Sequence, residues 1–298
     1  MKKRVVVTGA NGFIGRYVVN ALLKERYEVI AIVHSAIHEH KNEVTYVKAD
    51  ISVKKDIQNA CDLIKNCDVF VHIAANINFN DKEGLINTNC LGTYFVSYMA
   101  KQLQAEKIVY LSSIPVIGVP QILPINEEHP INPISLYHRT KHFGEEVLMQ
   151  ECGKDMSVVI LRIPSPIGVG MSECNFLSYL IHNMLQHKTI QIYGKGQRLQ
   201  NYIDVRDIAR AVVKGIEINE EGLFLIASPD GITNIELAKL CKKVVGSGSE
   251  IITGVGIDKE EHFRWDINTQ KAKDRLDFVT RYSIEETVFW ICESIKDV

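Results

Sequence analysis

The 298 residues carry 34 lysines and arginines against 36 acidic side chains, and 46% of them are hydrophobic and 23% charged. A net charge of −2 leaves no cationic excess for a phosphate backbone, which excludes nucleic acid as the main partner. No apolar run reaches the roughly 20 residues of a membrane-spanning helix, and three apolar residues before Thr8-Gly9 are too few for a secretory core, so a cytoplasmic protein without membrane contact is expected.

In chain order, the first 160 residues alternate short Val/Ile-rich runs with amphipathic stretches. Residues 4–7, 29–33, 44–48, 69–73, 107–111 and 158–161 read as strands, and 14–25, 54–65, 89–105 and 135–152 as helices. Runs that are apolar throughout suit strands covered on both faces. Strand–helix alternation then builds an α/β fold with a doubly wound parallel sheet of Rossmann type. Beyond residue 165 the loops lengthen around 164–170, 194–196 and 246–256. Helices are expected at 175–187, 205–218, 234–245 and 283–296, the last two opening on capping boxes, Thr233 with Glu236 and Ser283 with Glu286. The expected division is a dinucleotide-binding domain at 1–165 and a smaller mixed substrate-binding part at 166–298. Helix 205–218 and strand 222–226 of that part would pack back on the first domain. The seven cysteines are scattered and lack zinc-ligand spacing, so reduced thiols and no metal site are expected.

The first strand–turn–helix unit carries Thr8-Gly9-Ala10-Asn11-Gly12-Phe13-Ile14-Gly15. The first glycine permits a tight turn, and the second lets the backbone approach a pyrophosphate. The third lets the helix pack on the sheet with its N-terminus facing the anion. Where NAD binds such a unit, a carboxylate past the glycines grips the ribose 2′-hydroxyl. Here the second strand ends at His34-Ser35 without one, and Arg16, His34, Ser35 and Lys41 lie nearby. NADP is therefore favoured slightly over NAD, the alternative for Arg16 and Lys41 being solvated surface charge.

Further on, Tyr137-His138-Arg139-Thr140-Lys141 sets Tyr137 and Lys141 four apart, on one helix face. An ammonium about 4 Å from a phenol, at an effective dielectric near 20, is worth about 4 kcal/mol, or about three pKa units. That would bring a tyrosine toward neutrality for general acid–base work. Ser112 and Ser113 follow the strand 107–111, and a hydroxyl there suits either a reacting carbonyl or alcohol or a plain turn cap. The two serines compete for the role.

Together these pieces resemble the extended short-chain dehydrogenase/reductases, the NAD-dependent epimerase/dehydratase family. The matching segments are residues 8–15, Asp50-Ile51, His72-Ile73-Ala74-Ala75, Asn89-x-x-Gly92-Thr93, Ser112-Ser113 with Gly118, and Tyr137-x-x-x-Lys141. Leu161-Arg162, Tyr202-Ile203-Asp204-Val205-x-Asp207-Ile208-Ala209, and Lys271-Ala272 with Leu276 follow the family too. The resemblance implies an NAD(P)-dependent oxidoreductase with Ser113, Tyr137 and Lys141 as its catalytic set. It implies a cofactor held by Thr8, Gly9, Asn11, Gly12, Phe13, Ile14, Gly15, His34, Asp50, Ile51, Ala74, Ala75, Asn89, Ser112, Tyr137, Lys141, Ile163 and Pro164. Asp50 and Asn89 equally suit helix caps, and His72 suits a satisfied core position. Substrate contacts are implied at Asn76, Ser113, Ser165, Arg198 and Arg264, with a nucleotide-activated sugar as the small-molecule substrate. A homodimer through helices 89–105 and 135–152 is implied as well, although Tyr94, Tyr98 and Phe143 there also suit an intramolecular core.

The departures from the family pattern fall around the substrate. Ile117 and Ile167 stand where aromatic residues are usual, Ser165 where an asparagine meets a diphosphate, and Gln200 where an arginine precedes Asn201-Tyr202, with Arg198 and Arg206 nearby. Ile114-Pro115 replaces the Asp-Glu pair of 4,6-dehydratases, removing the acid and base of that elimination. An epimerase or ketoreductase of a nucleotide-activated sugar is the leading expectation. The alternatives are an NADP-dependent reductase of a smaller apolar ketone or aldehyde and a non-catalytic dinucleotide-binding sensor.

Overall fold

Seven parallel strands form the central layer of the computed structural model, which describes residues 2–34 and 40–296. They are β1 (Arg4–Thr8), β2 (Glu28–Val33), β3 (Val44–Lys48), β4 (Val69–His72), β5 (Lys107–Ser113), β6 (Ser157–Ile163) and β11 (Gly222–Leu225), in the order β11-β6-β5-β4-β1-β2-β3. Strand order reverses at β1, which pairs with both β2 and β4. That switch point opens a crevice beyond the carboxyl ends of β1 and β4. The strands are apolar because both faces are covered. Val5 and Val7 pack toward α1 (Phe13–Lys24) and α7 (Val205–Glu217), while Val6 packs toward α2 (Lys54–Ile64), α4 (Gly92–Gln102) and α5 (Leu136–Cys152). The doubly wound parallel sheet expected from the sequence is the fold observed.

Two local features shape the crevice. The helix expected over 89–105 is split: a single turn, α3 (Lys82–Gly84), leads into a π-helical segment, Leu85–Leu91, before α4 begins. Ser135 caps α5, its hydroxyl accepting from the His138 N–H at 3.2 Å.

The C-terminal part has its own core, in which Leu177, Ile181 and Met184 of α6 (Phe176–Leu185) meet Leu237 and Cys241 of α8 (Asn234–Val245) and Val288 of α10 (Ile284–Lys296). Three two-stranded pairs tie it together. They are β7 (Ser165–Ile167) with β10 (Tyr202–Asp204), β8 (Ile190–Ile192) with β13 (Ile251–Thr253), and β9 (Leu199–Gln200) with β12 (Ile232–Thr233). Between these elements the chain returns to the first layer: α7 packs on α1, and β11 extends the sheet past β6. Both capping boxes form at the starts of α8 and α10. Near the end, α9 (Gln270–Leu276) packs against β11. No helix of the described residues is long and apolar enough to cross a membrane, and none of the seven cysteines is in a disulfide.

Candidate active site

The turn after β1 is set by steric exclusion. Gly9 has φ +71°, and a Cβ there would lie 2.7 Å from the Ala74 nitrogen; a Cβ on Gly15 would collide with the Gly9 carbonyl oxygen. The Gly12 N–H donates to that carbonyl at 3.0 Å and closes the turn. Gly12 then begins α1 with no side-chain acceptor and no acidic residue in the first turn. The first amides of α1, among them Phe13 and Ile14, therefore face outward at the positive end of the helix dipole. A Cβ-free cradle beneath donor N–H groups fits the diphosphate of a dinucleotide. Thr8 plays a different part from direct contact. Its hydroxyl accepts from the Ile73 and Ala74 N–H groups and pairs with His72 Nδ1 at 2.7 Å, so it stitches β1 to the end of β4.

At the ends of β2 and β3, His34 Nε2 lies 3.4 Å from the Asp50 carboxylate, which also accepts from the Ser52 amide and hydroxyl. Burial works against ionisation of Asp50, but the Ser52 hydrogen bonds and the His34 charge hold its carboxyl below the usual range. Ile51 is buried against Gly92, packing rather than projecting. Arg16 has its guanidinium against Gly170, on the loop after β7. Ser35 lies outside the described residues.

The other predicted residues are drawn together by a short relay of contacts. Gly9 abuts Ala74 in the segment after β4. Two residues on, the Asn76 backbone is held by Asn89, whose buried amide accepts from Asn76 N–H at 2.8 Å and donates to Asn76 O and to Thr140 Oγ1, each at 3.0 Å. Asn89 thus joins the π-helical segment, the β4 loop and α5, and it is neither a plain helix cap nor a surface group. The Asn76 side chain donates to Asp81 at 2.8 Å. On α5, Tyr137 is half-buried, and its ring rests against Phe79 at 5.2 Å and His138 at 5.2 Å. α5 packs on the 3-10 turn Ile114–Ile117 that directly follows Ser113.

The two serines separate cleanly. Ser112 is buried and donates to Glu145, whereas Ser113 is partly exposed at the mouth of the crevice. The Ser112 side chain therefore belongs to the buried wall behind the crevice.

The electrostatics of the Tyr137–Lys141 pair differ from the sequence expectation. Burial pushes the Tyr137 phenol up to about 12 and the Lys141 ammonium down to about 7, with Glu145 opposing the latter shift. Lys141 Nζ sits over the Tyr110 ring, 4.1 Å from its centroid. Burial is the cause of the Tyr137 shift, so the protein alone does not make Tyr137 acidic. His72 is a neutral core residue, pushed down to about 3 by burial and then by the Lys141 charge, and held between Thr8 and Thr93.

Beneath Lys141 lies a buried cluster that sequence reasoning missed. Arg162 forks onto Glu145 at 2.8 and 2.7 Å, and His142 Nδ1 lies 3.2 Å from the same carboxylate. Burial works against ionisation of Glu145, yet Arg162, His142 and Ser112 bring it down to about 2. The signal was present in the spacing, since Tyr137, Lys141 and Glu145 recur at four-residue steps along one face of α5.

Beside Tyr137 opens a cavity of about 190 Å³ lined by Pro115, Gly118, Ile134, His138, Pro164, Ser165, Arg198, Gln200, Asn201, Glu260, Phe263 and Trp265. Ile163, one residue before Pro164, is buried at the end of β6. His138 presents a neutral imidazole to the cavity, because burial lowers it to about 4 and Ser135 Oγ binds its Nδ1 at 2.7 Å. Arg198 reaches the cavity already paired with Asp258 and Glu260. Two other arginines, Arg264 of the implied substrate set and Arg206 near Gln200 in sequence, have partners of their own. Arg264 points Nη1 at the carbonyls of Gln197, Glu261 and Phe263, and Arg206 is forked onto Asp204 between Tyr282 and Trp290. Through these backbone oxygens Arg264 Nη1 braces its own loop.

The model of the NAD dependent epimerase/dehydratase family matches residues 5–226. A provisionally assigned UDP-glucose 4-epimerase of Methanocaldococcus jannaschii is 31% identical over 261 residues, covering 83% of this chain and 84% of that protein. UDP-glucose 4-epimerase of Drosophila melanogaster is 26% identical over 288 residues, covering 81% and 82%. Among solved structures, UDP-glucose 4-epimerase of Thermotoga maritima with UDP-glucose superposes with a TM-score of 0.91 at 21% identity, covering 99% of both chains. The UDP-glucose 4-epimerase of Thermus thermophilus in complex with NAD gives 0.84 at 21% identity, covering 98% and 99%. At these identities the superpositions establish a shared fold.

Proposed function

Because the chain belongs to the NAD-dependent epimerase/dehydratase family, we propose that it is an epimerase or ketoreductase acting on a hydroxyl-bearing carbon of a nucleotide-activated sugar. What supports this reading is the Cβ-free turn after β1, together with Ser113 at the end of β5, Tyr137 and Lys141 four residues apart on α5, and a cavity to which His138 of the same helix contributes. The curated relatives that bear UDP-sugar names support the nucleotide-sugar substrate.

When bound, the dinucleotide supplies or takes up a hydride at the sugar carbon. The rest falls to this chain. Ser113 donates its hydroxyl proton in a hydrogen bond to the reacting oxygen. Tyr137, a neutral phenol at physiological pH, gives its proton to a carbonyl oxygen in the reducing direction and takes one from an alcohol in the other. Lys141 is poised near neutrality by burial and offsets the charge left on the tyrosine. Asn89 fixes the distance between α5 and the β4 loop, beside which the dinucleotide would bind.

NAD is the form we assign. The NADP expectation leaned partly on Arg16, whose guanidinium is packed against Gly170, and the Asp50 carboxylate 3.4 Å from His34 disfavours an added phosphate. We infer a homodimer through α4 and α5, which would cover the partly exposed aromatic side chains of Tyr94, Tyr98 and Phe143.

The test supplies the purified protein with UDP-glucose and either NAD or NADP and follows sugar products and bound dinucleotide. Conversion of the UDP-sugar with NAD preferred is expected. A dinucleotide retained through turnover identifies the epimerase, and one exchanged each cycle the reductase. Inertness toward UDP-sugars together with reduction of small ketones would overturn the sugar reading in favour of the apolar-substrate alternative.

A further inference from the structure

Arg198 is the only permanent cation among the residues lining the cavity, and two carboxylates already surround it. Asp258 takes its Nε at 2.9 Å and its Nη2, while Glu260 takes Nη1 at 2.7 Å. The three side chains sum to one negative charge, an unwelcoming environment for a diphosphate. With His138 neutral and Gln200 where the family resemblance implies an arginine, no other lining side chain restores the balance.

The two carboxylates are not equivalent. Asp258 is 4% exposed and also accepts from the Glu260 N–H at 3.0 Å, so it is built into the loop. The Glu260 side chain is 44% exposed and lines the cavity, and its carboxylate has Arg198 as its one hydrogen-bond partner among the described residues. The next residue, Glu261, accepts from the Lys195 and Gln197 amides, which pins the segment while leaving the Glu260 side chain able to turn.

We propose that Glu260 is a displaceable counter-ion: it holds the Nη1 edge of Arg198 until a substrate phosphate takes that edge, and it thereby sets the affinity for the diphosphate. This rests on the nucleotide-sugar reading above. An ion pair as exposed as Arg198–Glu260 is weak and readily exchanged, whereas Asp258 keeps the guanidinium oriented through the exchange. No main-chain movement is required, only a rotamer change at residue 260.

The experiment titrates UDP calorimetrically into the protein held at saturating NAD, for the wild type and for Glu260→Gln, at low ionic strength. The variant should bind UDP about two- to fivefold more tightly, the size of an exposed ion pair. The gain should shrink at about 0.5 M salt, and NAD affinity should stay unchanged. In an Arg198→Gln background the gain should vanish, because nothing remains for the glutamate to block. Equal or weaker UDP binding by Glu260→Gln overturns the counter-ion while leaving the sugar reading intact. A gain that persists without Arg198 also overturns it. Failure of UDP to bind either protein removes both.

Discussion

The two walls of the crevice are built on different length scales. On the dinucleotide side, Gly9, Gly12 and Gly15 shape one turn within seven residues, and Tyr137, Lys141 and Glu145 share one face of a single helix. On the cavity side, Arg198 meets Asp258 sixty residues away, and β9 finds β12 across the whole of α7 and β11. The first wall follows from local steric and helical rules. The second exists only after distant segments have met, so its chemistry depends on partners that no local pattern announces.

The largest way to break the first wall is from beneath. Replacing Glu145 by Gln removes the charge that Arg162 and Ser112 were buried to meet, and leaves a cation unpaired in the wall. We expect a loss of about 3–5 kcal/mol in chemical denaturation. The same pair predicts the acid limb. The folded-state carboxyl of Glu145 lies below its ordinary value, so its contribution is complete above about pH 4.5 and fades as pH falls toward about 2. Glu145→Gln should lack that acid-dependent loss, which stability measured at several pH values would show.

A smaller perturbation sharpens the contrast. Gly15→Ala puts a methyl group against the Gly9 carbonyl. It should cost about 1–3 kcal/mol of stability, as overpacking does, and weaken dinucleotide binding more than it weakens UDP binding. If both ligands weakened alike in fluorescence titrations, the two walls would not be separable in the way their construction implies.

The same division explains what the sequence disclosed. The parallel sheet was legible because buried parallel strands need unbroken apolar runs, and 44–48 and 234–245 were readable to the residue. The π-helical Leu85–Leu91 was not, since its residues keep a helical pattern while one extra residue per turn re-aims Asn89 toward α5. Strands of two or three residues, such as β9 and β12, carry no periodicity to detect. Spacing set Tyr137 and Lys141 on one face of α5, but it could not tell how far both groups are removed from water, and burial shifts them against the sequence expectation. The bond from Arg264 Nη1 to the Gln197 carbonyl, 67 residues away, was not legible, because only the fold brings the two segments together.

In the proposed reaction the Tyr137 hydroxyl transfers the proton while the glycine turn independently holds the dinucleotide. Tyr137→Phe, assayed for both UDP-sugar turnover and NAD affinity, tests it most directly. Turnover should fall by about 10²–10⁴-fold with NAD affinity held within about threefold of wild type. Full turnover in the phenylalanine variant would contradict the account.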